Sequence, residues 1–232
     1  MSKKALIVVT SHDQLGTTSR KTGYYLPEVA HPYLVLADAG YDIDVVSPKG
    51  GLAPLDQGSL DLSDPDNRRF WETPELRAKV EHTRRPDQVD PADYDAIVYA
   101  GGHGTMWDFP DDAGLQKLGS AIYEQGGVVA AVCHGPAALV NLKLSDGTYL
   151  VAGKTVAAFT DEEEEAAHLV TVVPFLLAST LVSRGARHVK APNFQPKVAS
   201  DQRLVTGQNP SSAKALGEAV VAALESIPAR TA

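Results

Sequence analysis

The chain has 232 residues, of which 44% are hydrophobic, and its formal net charge is -8 at pH 7. This size and apolar content are enough for one large α/β domain over residues 1–232, and an acidic chain without a basic cluster is not expected to bind nucleic acid. The single cysteine excludes an intramolecular disulfide and no apolar run approaches the length of a membrane span, so we expect a cytoplasmic protein without a membrane partner.

Apolar runs and helical spacing alternate through the first two thirds of the chain. Buried strands are predicted at residues 4–10, 41–47, 96–100 and 128–132, and helices at 27–39 and about 113–125. Residues 48–91 are polar and charged, with one possible short helix at 74–82, and we interpret them as a surface excursion. The alternation of strands and helices predicts a parallel sheet that is covered on both faces.

The last third of the chain is mixed. A strand is predicted at 154–158, helices near 162–168 and 175–184, and a β-hairpin at 198–206 that turns at Asp201 and Gln202. A closing helix is predicted from Pro210 to about Ser226, with Asn209 as its cap. The expected fold class is α/β, with a flavodoxin-like, doubly wound and mostly parallel sheet.

Cys133, the only cysteine, lies where a predicted buried strand ends. The pair Gly135-Pro136 allows a sharp turn there and opens a helix, because proline is tolerated in the first helical turn. A thiol at such an elbow projects into a crevice beside the positive end of a helix, which lowers its pKa and favours the thiolate. We therefore predict a reactive nucleophile; a buried structural cysteine is the alternative.

Other candidate groups follow neighbouring strands. Thr10, Gly101 and Cys133 each come after a strand, so they should share one edge of the sheet, where ligands bind. The glycines at 101, 102 and 104 let backbone N–H groups approach a developing negative charge, although a plain tight turn explains them as well. His103 is close enough to this edge to contact a substrate.

Carboxylates near two helix starts complete the candidate set. Glu28 has an ordinary place in a first helical turn, but if it points into the crevice, burial and the thiolate raise its pKa and make it a proton shuttle. Thr160 and Glu163 have capping-box spacing, and at most one glutamate of residues 162–165 is expected to orient His134. The elbow makes neighbouring side chains project differently, so Cys133 and His134 need not be aligned. The other histidines show no metal-ligand spacing, so no metal is expected.

Several motifs together resemble a known superfamily. Residues 131–137 match the nucleophile elbow, and 102–110 the loop opposite it, of the PfpI-type class I glutamine-amidotransferase-like proteins, which include the parkinsonism-associated deglycase. Residues 21–32 look like the N-terminal segment of the heat-shock-induced, glutathione-independent glyoxalase III branch. Residues 173–177 and 192–196 depart from that branch and look more like bacterial amidotransferase-like relatives, which leaves the substrate range open.

The resemblance implies roles for individual residues. Cys133 would be the nucleophile, Glu28 its protonated partner and general acid/base, and His134 the adjacent triad member. The backbone N–H groups of Gly102 and His134 would form the oxyanion site. A gap-free match over 158–161 places the triad acid at Glu164, with Glu163 as the alternative.

The expected function is the conversion of a small dicarbonyl, methylglyoxal or glyoxal, to its hydroxy acid through a Cys133 hemithioacetal, without a cofactor. A stress chaperone, or a redox sensor or protein deglycase that uses an oxidisable Cys133, is a second hypothesis. A cysteine peptidase or amidase is a third. The family resemblance also suggests a homodimer.

Overall fold

The computed structural model describes residues 3–227, which fold into alternating strands and helices. The strands are β1 (Lys4–Val8), β2 (Asp42–Val46), β3 (Ala96–Tyr99), β4 (Val128–Val132), β5 (Thr155–Val156), β6 (Arg187–His188), β7 (Val198–Asp201) and β8 (Leu204–Gly207). The helices are α1 (Leu26–Asp38), α2 (Pro65–Glu72), α3 (Pro74–Glu81), α4 (Thr105–Asp108), α5 (Ala113–Glu124), α6 (Asp161–Ala166), α7 (Leu177–Ser183) and α8 (Ala213–Ser226).

Six strands form the main sheet in the order β2-β1-β3-β4-β8-β7. All neighbours in it are parallel except β7 and β8, which form the predicted antiparallel hairpin. Two apolar clusters contain alternate residues of the central strands, and every residue of β3 and β4 is buried between them. The predicted α/β class and the mostly parallel sheet are therefore confirmed.

The carboxyl ends of β1, β3 and β4 lie side by side because these strands are parallel neighbours. The segments that begin after them are thereby brought to the same edge, as the sequence predicts. Thr105 joins two of these segments. Its hydroxyl donates to the carbonyl oxygen of Gly102 at 2.9 Å and to that of His134 at 3.0 Å.

The segment of residues 48–91 is not only a surface excursion. It contains two helices, α2 and α3, and the side chains of Phe70 and Val80 are buried in the core. The Phe70 ring packs edge-on against that of Tyr33 in α1, with centroids 5.3 Å apart. The sequence did not indicate α2, because its residues are mostly polar and offer few apolar positions for a periodic pattern.

Three local predictions were wrong. The segment after Cys133 is a buried 3₁₀ helix of five residues, Gly135–Leu139, rather than an α-helix. The strand predicted at 154–158 is reduced to β5, which pairs with β6 in a separate sheet, because the next N–H, that of Ala157, donates to the Thr206 hydroxyl. Asn209 stands at the N-cap position of a short 3₁₀ helix, Pro210–Ser212, that precedes α8, but its side chain does not cap it, since its amide donates to Glu163 and to Gln195. Within residues 3–227, no helix combines the length and the apolar character that crossing a membrane requires.

Candidate active site

Cys133 stands in a strained elbow between β4 and the 3₁₀ helix. Its φ is 60°, a left-handed conformation that costs a residue other than glycine about 1–3 kcal/mol. Two backbone hydrogen bonds enforce it: the Cys133 N–H donates to Gly207 at 2.9 Å, and its carbonyl accepts from Phe159 at 3.0 Å. The side chain is buried. A surrounding structure that over-determines a strained residue is typical of a nucleophile elbow.

His134 connects the thiol to a carboxylate. Its Nδ1 lies 3.3 Å from the Cys133 sulfur, and its Nε2 lies 2.7 Å from an oxygen of Glu164. The structure therefore brings neighbouring elbow side chains into contact, which the sequence left open. All three residues are buried, so the chain of contacts is shielded from water.

A second histidine shares the same carboxylate. His103 Nε2 lies 2.9 Å from the other oxygen of Glu164, and the His103 and His134 rings are 4.0 Å apart. The sequence indicated His103 only as a substrate contact. No pattern could reveal its bond to Glu164, because the two residues are 61 positions apart.

The electrostatics of this group assign its protons. Burial opposes ionisation of Glu164, but hydrogen bonds from His103 and His134 lower its pKa to about 2. Burial and the neighbouring His103 lower the pKa of His134 to about 4. A carboxylate only accepts hydrogen bonds, so neutral His134 carries its proton on Nε2 and presents the Nδ1 lone pair to the thiol.

Glu28, in the first turn of α1, points into the core rather than to solvent. Its side chain is completely buried, and burial raises its pKa to about 8, the direction predicted from the sequence. Within residues 3–227 neither oxygen has a hydrogen bond of ordinary geometry, while the Cys133 thiol and the Gly101 backbone limit the rise of the pKa. Gly101 permits this approach, because an added Cβ would lie 2.2 Å from the carboxyl.

The predicted lowering of the Cys133 pKa was wrong. Burial, and then the adjacent Glu28 carboxylate, raise it, and the backbone N–H of His134 offsets only part of the rise. The positive end of an α-helix would lower the pKa of this thiol, but the helix that follows Cys133 is a short 3₁₀ helix. The Glu28 carboxyl and the Cys133 thiol are therefore both protonated near neutral pH, and because two negative charges here would repel each other strongly, they titrate as a coupled pair.

Residues 21–223 match the sequence profile of the DJ-1/PfpI family. The chain belongs to this family. It is 37% identical to a probable glutathione-independent glyoxalase of Schizosaccharomyces pombe, over 83% of this chain and 86% of the relative.

Two solved structures are similar to this DJ-1/PfpI protein over nearly the whole of each chain. One is the Francisella tularensis Rapid Encystment Protein of 24 kDa, with 40% identity, a TM-score of 0.92, and coverage of 96% of this chain and 99% of that one. The other is glyoxalase III of Candida albicans, with 30% identity, a TM-score of 0.88, and coverage of 96% and 97%. The resemblance seen in the sequence is thereby confirmed.

The glycine loop of this DJ-1/PfpI protein is pressed against the segment before α1. Gly102 has a φ of +103°, and an added Cβ would lie 2.1 Å from the carbonyl oxygen of Gly23. At Gly104 an added Cβ would lie 2.5 Å from the carbonyl oxygen of His12. Only glycine fits at these positions, so the loop between β3 and α4 packs directly against the backbone of the segment between β1 and α1.

Tyr25 lies beside the site, although within residues 21–32 only Glu28 was predicted to have a role there. Its N–H donates to the Gly101 carbonyl at 3.2 Å. Burial and then the charges of Glu28 and Cys133 raise the pKa of its hydroxyl, which therefore lies within their electrostatic range. Its position three residues before Glu28, at the start of α1, is the signal that could have found it.

Glu163 is buried but faces away from His134. It completes the predicted capping box with Thr160, with bonds of 2.9 and 3.0 Å. Its other oxygen accepts from the Phe194 N–H at 2.7 Å and from the amides of Gln208 and Asn209 at 3.1 and 2.8 Å. Glu163 therefore ties three chain segments together, namely the start of α6, the Phe194 loop and the segment after β8, whereas Glu164 contacts the histidines.

Within residues 3–227, two groups of side chains have donor atoms close enough to hold a metal ion, with the atoms of each group within 4.8 Å of one another. One consists of His103, His134 and Glu164, whose donor atoms already bond to each other. The other is His31, Asp64 and Asp66, for which the sequence showed no metal-ligand spacing. There His31 lies 3.2 Å from Asp64, and Asp66 accepts from Lys214 at 2.8 Å. Protein partners thus account for both groups.

Proposed function

We propose that this DJ-1/PfpI protein is a glutathione-independent glyoxalase that converts methylglyoxal or glyoxal to the corresponding hydroxy acid. The observation that carries the proposal is the placement of one thiol between a neutral imidazole and a protonated carboxyl, His134 and Glu28. The names of the Schizosaccharomyces and Candida relatives support the same activity. Cys133, His134, Glu28 and Glu164 are the proposed catalytic residues.

The first step is addition of the thiol to the aldehyde. His134 Nδ1 takes the thiol proton, sulfur bonds to the aldehyde carbon, and Glu28 gives its proton to the carbonyl oxygen, which forms a hemithioacetal. Glu164 stabilises the resulting imidazolium and holds the ring in place. The raised pKa of Cys133 does not prevent this step, because the proton moves as sulfur attacks.

The second step moves a hydrogen between the two substrate carbons. Glu28, now a carboxylate, removes the C–H proton of the former aldehyde carbon while imidazolium protonates the second oxygen, which gives an enediol. Glu28 then protonates the second carbon and His134 takes the proton of the first hydroxyl, which gives a thioester. Water hydrolyses the thioester, releases the hydroxy acid and restores the thiol and both proton carriers.

Negative charge on the substrate oxygens needs donors in this pocket. The backbone N–H groups of Gly102 and His134 are proposed to supply them, and His103 and Gly104 are proposed to line the substrate site. Every proton and electron pair in these steps is carried by side chains, substrate and water. The proposed reaction therefore needs no cofactor.

A redox sensor is the second candidate, favoured by the contact between Cys133 and a buried carboxyl. A protonated Glu28 can donate a hydrogen bond to an oxidised sulfur and so stabilise it.

We also propose a cytoplasmic homodimer. A chain with one cysteine needs no oxidising compartment, and sedimentation of the purified protein tests the dimer.

Turnover of methylglyoxal by wild type and by Cys133→Ser tests the proposal. Wild type is expected to form hydroxy acid, and the variant only background amounts. Suppression of aggregation of a client protein is measured beside turnover, because a chaperone function should survive the substitution. Absence of hydroxy acid from wild type, or its equal formation by Cys133→Ser, would contradict the glyoxalase.

A further inference from the structure

Phe194 combines two unfavourable features. Its φ is +62°, a left-handed conformation that is strained for a bulky side chain, and its ring is 48% exposed. Neither feature helps the core. Strained residues persist where the surroundings over-determine them, and they concentrate at functional sites.

The backbone of Phe194 is held from both sides. Its N–H donates to the buried carboxyl of Glu163 at 2.7 Å, and its carbonyl accepts from the Ser211 hydroxyl at 3.1 Å. The carbonyl of the next residue, Gln195, accepts from the amide of Asn209 at 2.8 Å. Because Glu163 directly precedes Glu164, the Phe194 loop is anchored to the helix that orients the catalytic histidine.

A row of aromatic rings leads from the thiol to Phe194. The ring of His134, whose Nδ1 faces the Cys133 sulfur, is 4.3 Å from that of Phe159. The Phe159 ring is in turn 6.3 Å from that of Phe194, within the range of aromatic pairs. Phe159 is buried and Phe194 is half exposed, so the row ends in an apolar surface that is open to a ligand.

We propose that Phe159 and Phe194 form an aromatic subsite beside Cys133, in which Phe194 sets the preference for electrophilic carbonyl compounds with a large apolar or aromatic substituent. In the reaction this substituent is the group on the ketone carbon of a 2-oxoaldehyde, an assignment that rests on the proposed function. The backbone hydrogen bonds of Phe194 hold its ring at the exposed end of this row of rings. The loop that carries Phe194 is then a segment that adjusts the substrate range.

Competing alkylation of Cys133 tests the subsite without turnover. Phenacyl bromide and bromoacetone share one electrophilic carbon and differ only in a phenyl or methyl substituent; in both, sulfur bonds to that carbon and bromide leaves. The ratio of their rate constants is measured for wild type, Phe194→Gly, Phe194→Ala and Val182→Ala. Glycine adopts a φ of +62° without strain, and Val182 is a matched control because it is an exposed apolar residue of α7.

The ratio of phenacyl to acetonyl labelling is expected to fall about tenfold in both Phe194 variants and to stay unchanged in Val182→Ala. A labelling ratio that is unchanged in Phe194→Gly would overturn the aromatic subsite. This includes a fall seen only in Phe194→Ala, because alanine is strained at this φ and glycine is not, so such a fall would come from backbone strain. The kcat/KM ratio for phenylglyoxal and methylglyoxal should fall in parallel. If wild type turns over neither compound while the labelling ratio still falls, the subsite stands and the glyoxalase proposal fails.

Discussion

At the scale of single residues, Glu28 is the proposed proton donor, and it lies close enough to Cys133 to influence the pKa of the thiol. Glu28→Gln keeps the size of the side chain and a hydrogen-bond donor but cannot carry a proton between carbons. Methylglyoxal turnover is expected to fall about 10²- to 10⁴-fold, because general acid/base catalysis is lost. Turnover and iodoacetamide labelling of Cys133 are measured on the same samples.

Labelling is expected to continue in Glu28→Gln, since the thiol and His134 remain. Mass spectrometry of the variant with methylglyoxal should then detect the hemithioacetal on Cys133. If Glu28→Gln turned over methylglyoxal at nearly the wild-type rate, Glu28 would not be the proton carrier and would be only an ordinary carboxylate at a helix start.

The pKa of Glu28 also makes stability depend on pH. The folded state holds its proton up to about pH 8, whereas the unfolded chain releases it above about 4.5, so folding binds a proton between these values. The free energy of unfolding of wild type therefore falls as pH rises through this window, and Glu28→Gln lacks this effect. The free energy of unfolding of Glu28→Gln minus that of wild type should therefore rise by on the order of 3 kcal/mol between pH 5 and pH 7.

Urea denaturation of both proteins at the two pH values measures this change. A difference between variant and wild type that stays constant with pH would show that Glu28 is ionised in the folded state.

At the scale of elements, the adjacent glutamates Glu163 and Glu164 of α6 make different contacts, and we expect their substitutions to have different effects. Glu164 contacts His103 and His134, while Glu163 joins Thr160 to the Phe194 loop and the segment after β8. Glu164→Gln should lower turnover about 10²- to 10⁴-fold, since His134 loses its orienting carboxylate. Glu163→Gln should mainly lower the free energy of unfolding, by about 1–3 kcal/mol, because buried hydrogen bonds to a charged group are weakened.

Turnover and urea denaturation are measured for each variant, with Glu165→Gln as the control, because Glu165 is exposed on the same helix. A larger loss of turnover in Glu163→Gln than in Glu164→Gln would reassign the orienting acid.

At the scale of the whole molecule, residues 48–91 are expected to unfold together with the sheet. Phe70→Ala removes a completely buried ring that packs against α1, and it should lower the free energy of unfolding by about 3–5 kcal/mol. Leu52→Ala in the same segment should change it by less than about 0.5 kcal/mol, since Leu52 is 73% exposed. Urea denaturation distinguishes the two. Equal, small effects would mean that the segment packs loosely on the domain.

The amino-acid sequence alone determined the features that depend on local pattern. Apolar runs bounded by turn residues predicted the central strands, and parallel strands necessarily bring their following loops to one edge, so Cys133 and the glycine loop were placed together. The capping box of Thr160 and Glu163 was predicted for the same reason, because it needs only residues three positions apart.

Tertiary structure alone decided which side chains meet at that edge. Consecutive residues on α6 project about 100° apart, so only packing selects Glu164 rather than Glu163 for His134. The bond between His103 and Glu164 joins segments 61 residues apart, and the burial that raises the pKa values of Glu28 and Cys133 comes from the whole fold. Desolvation and long-range contact leave no periodic trace in a sequence, because they depend on which surfaces the folded chain brings together.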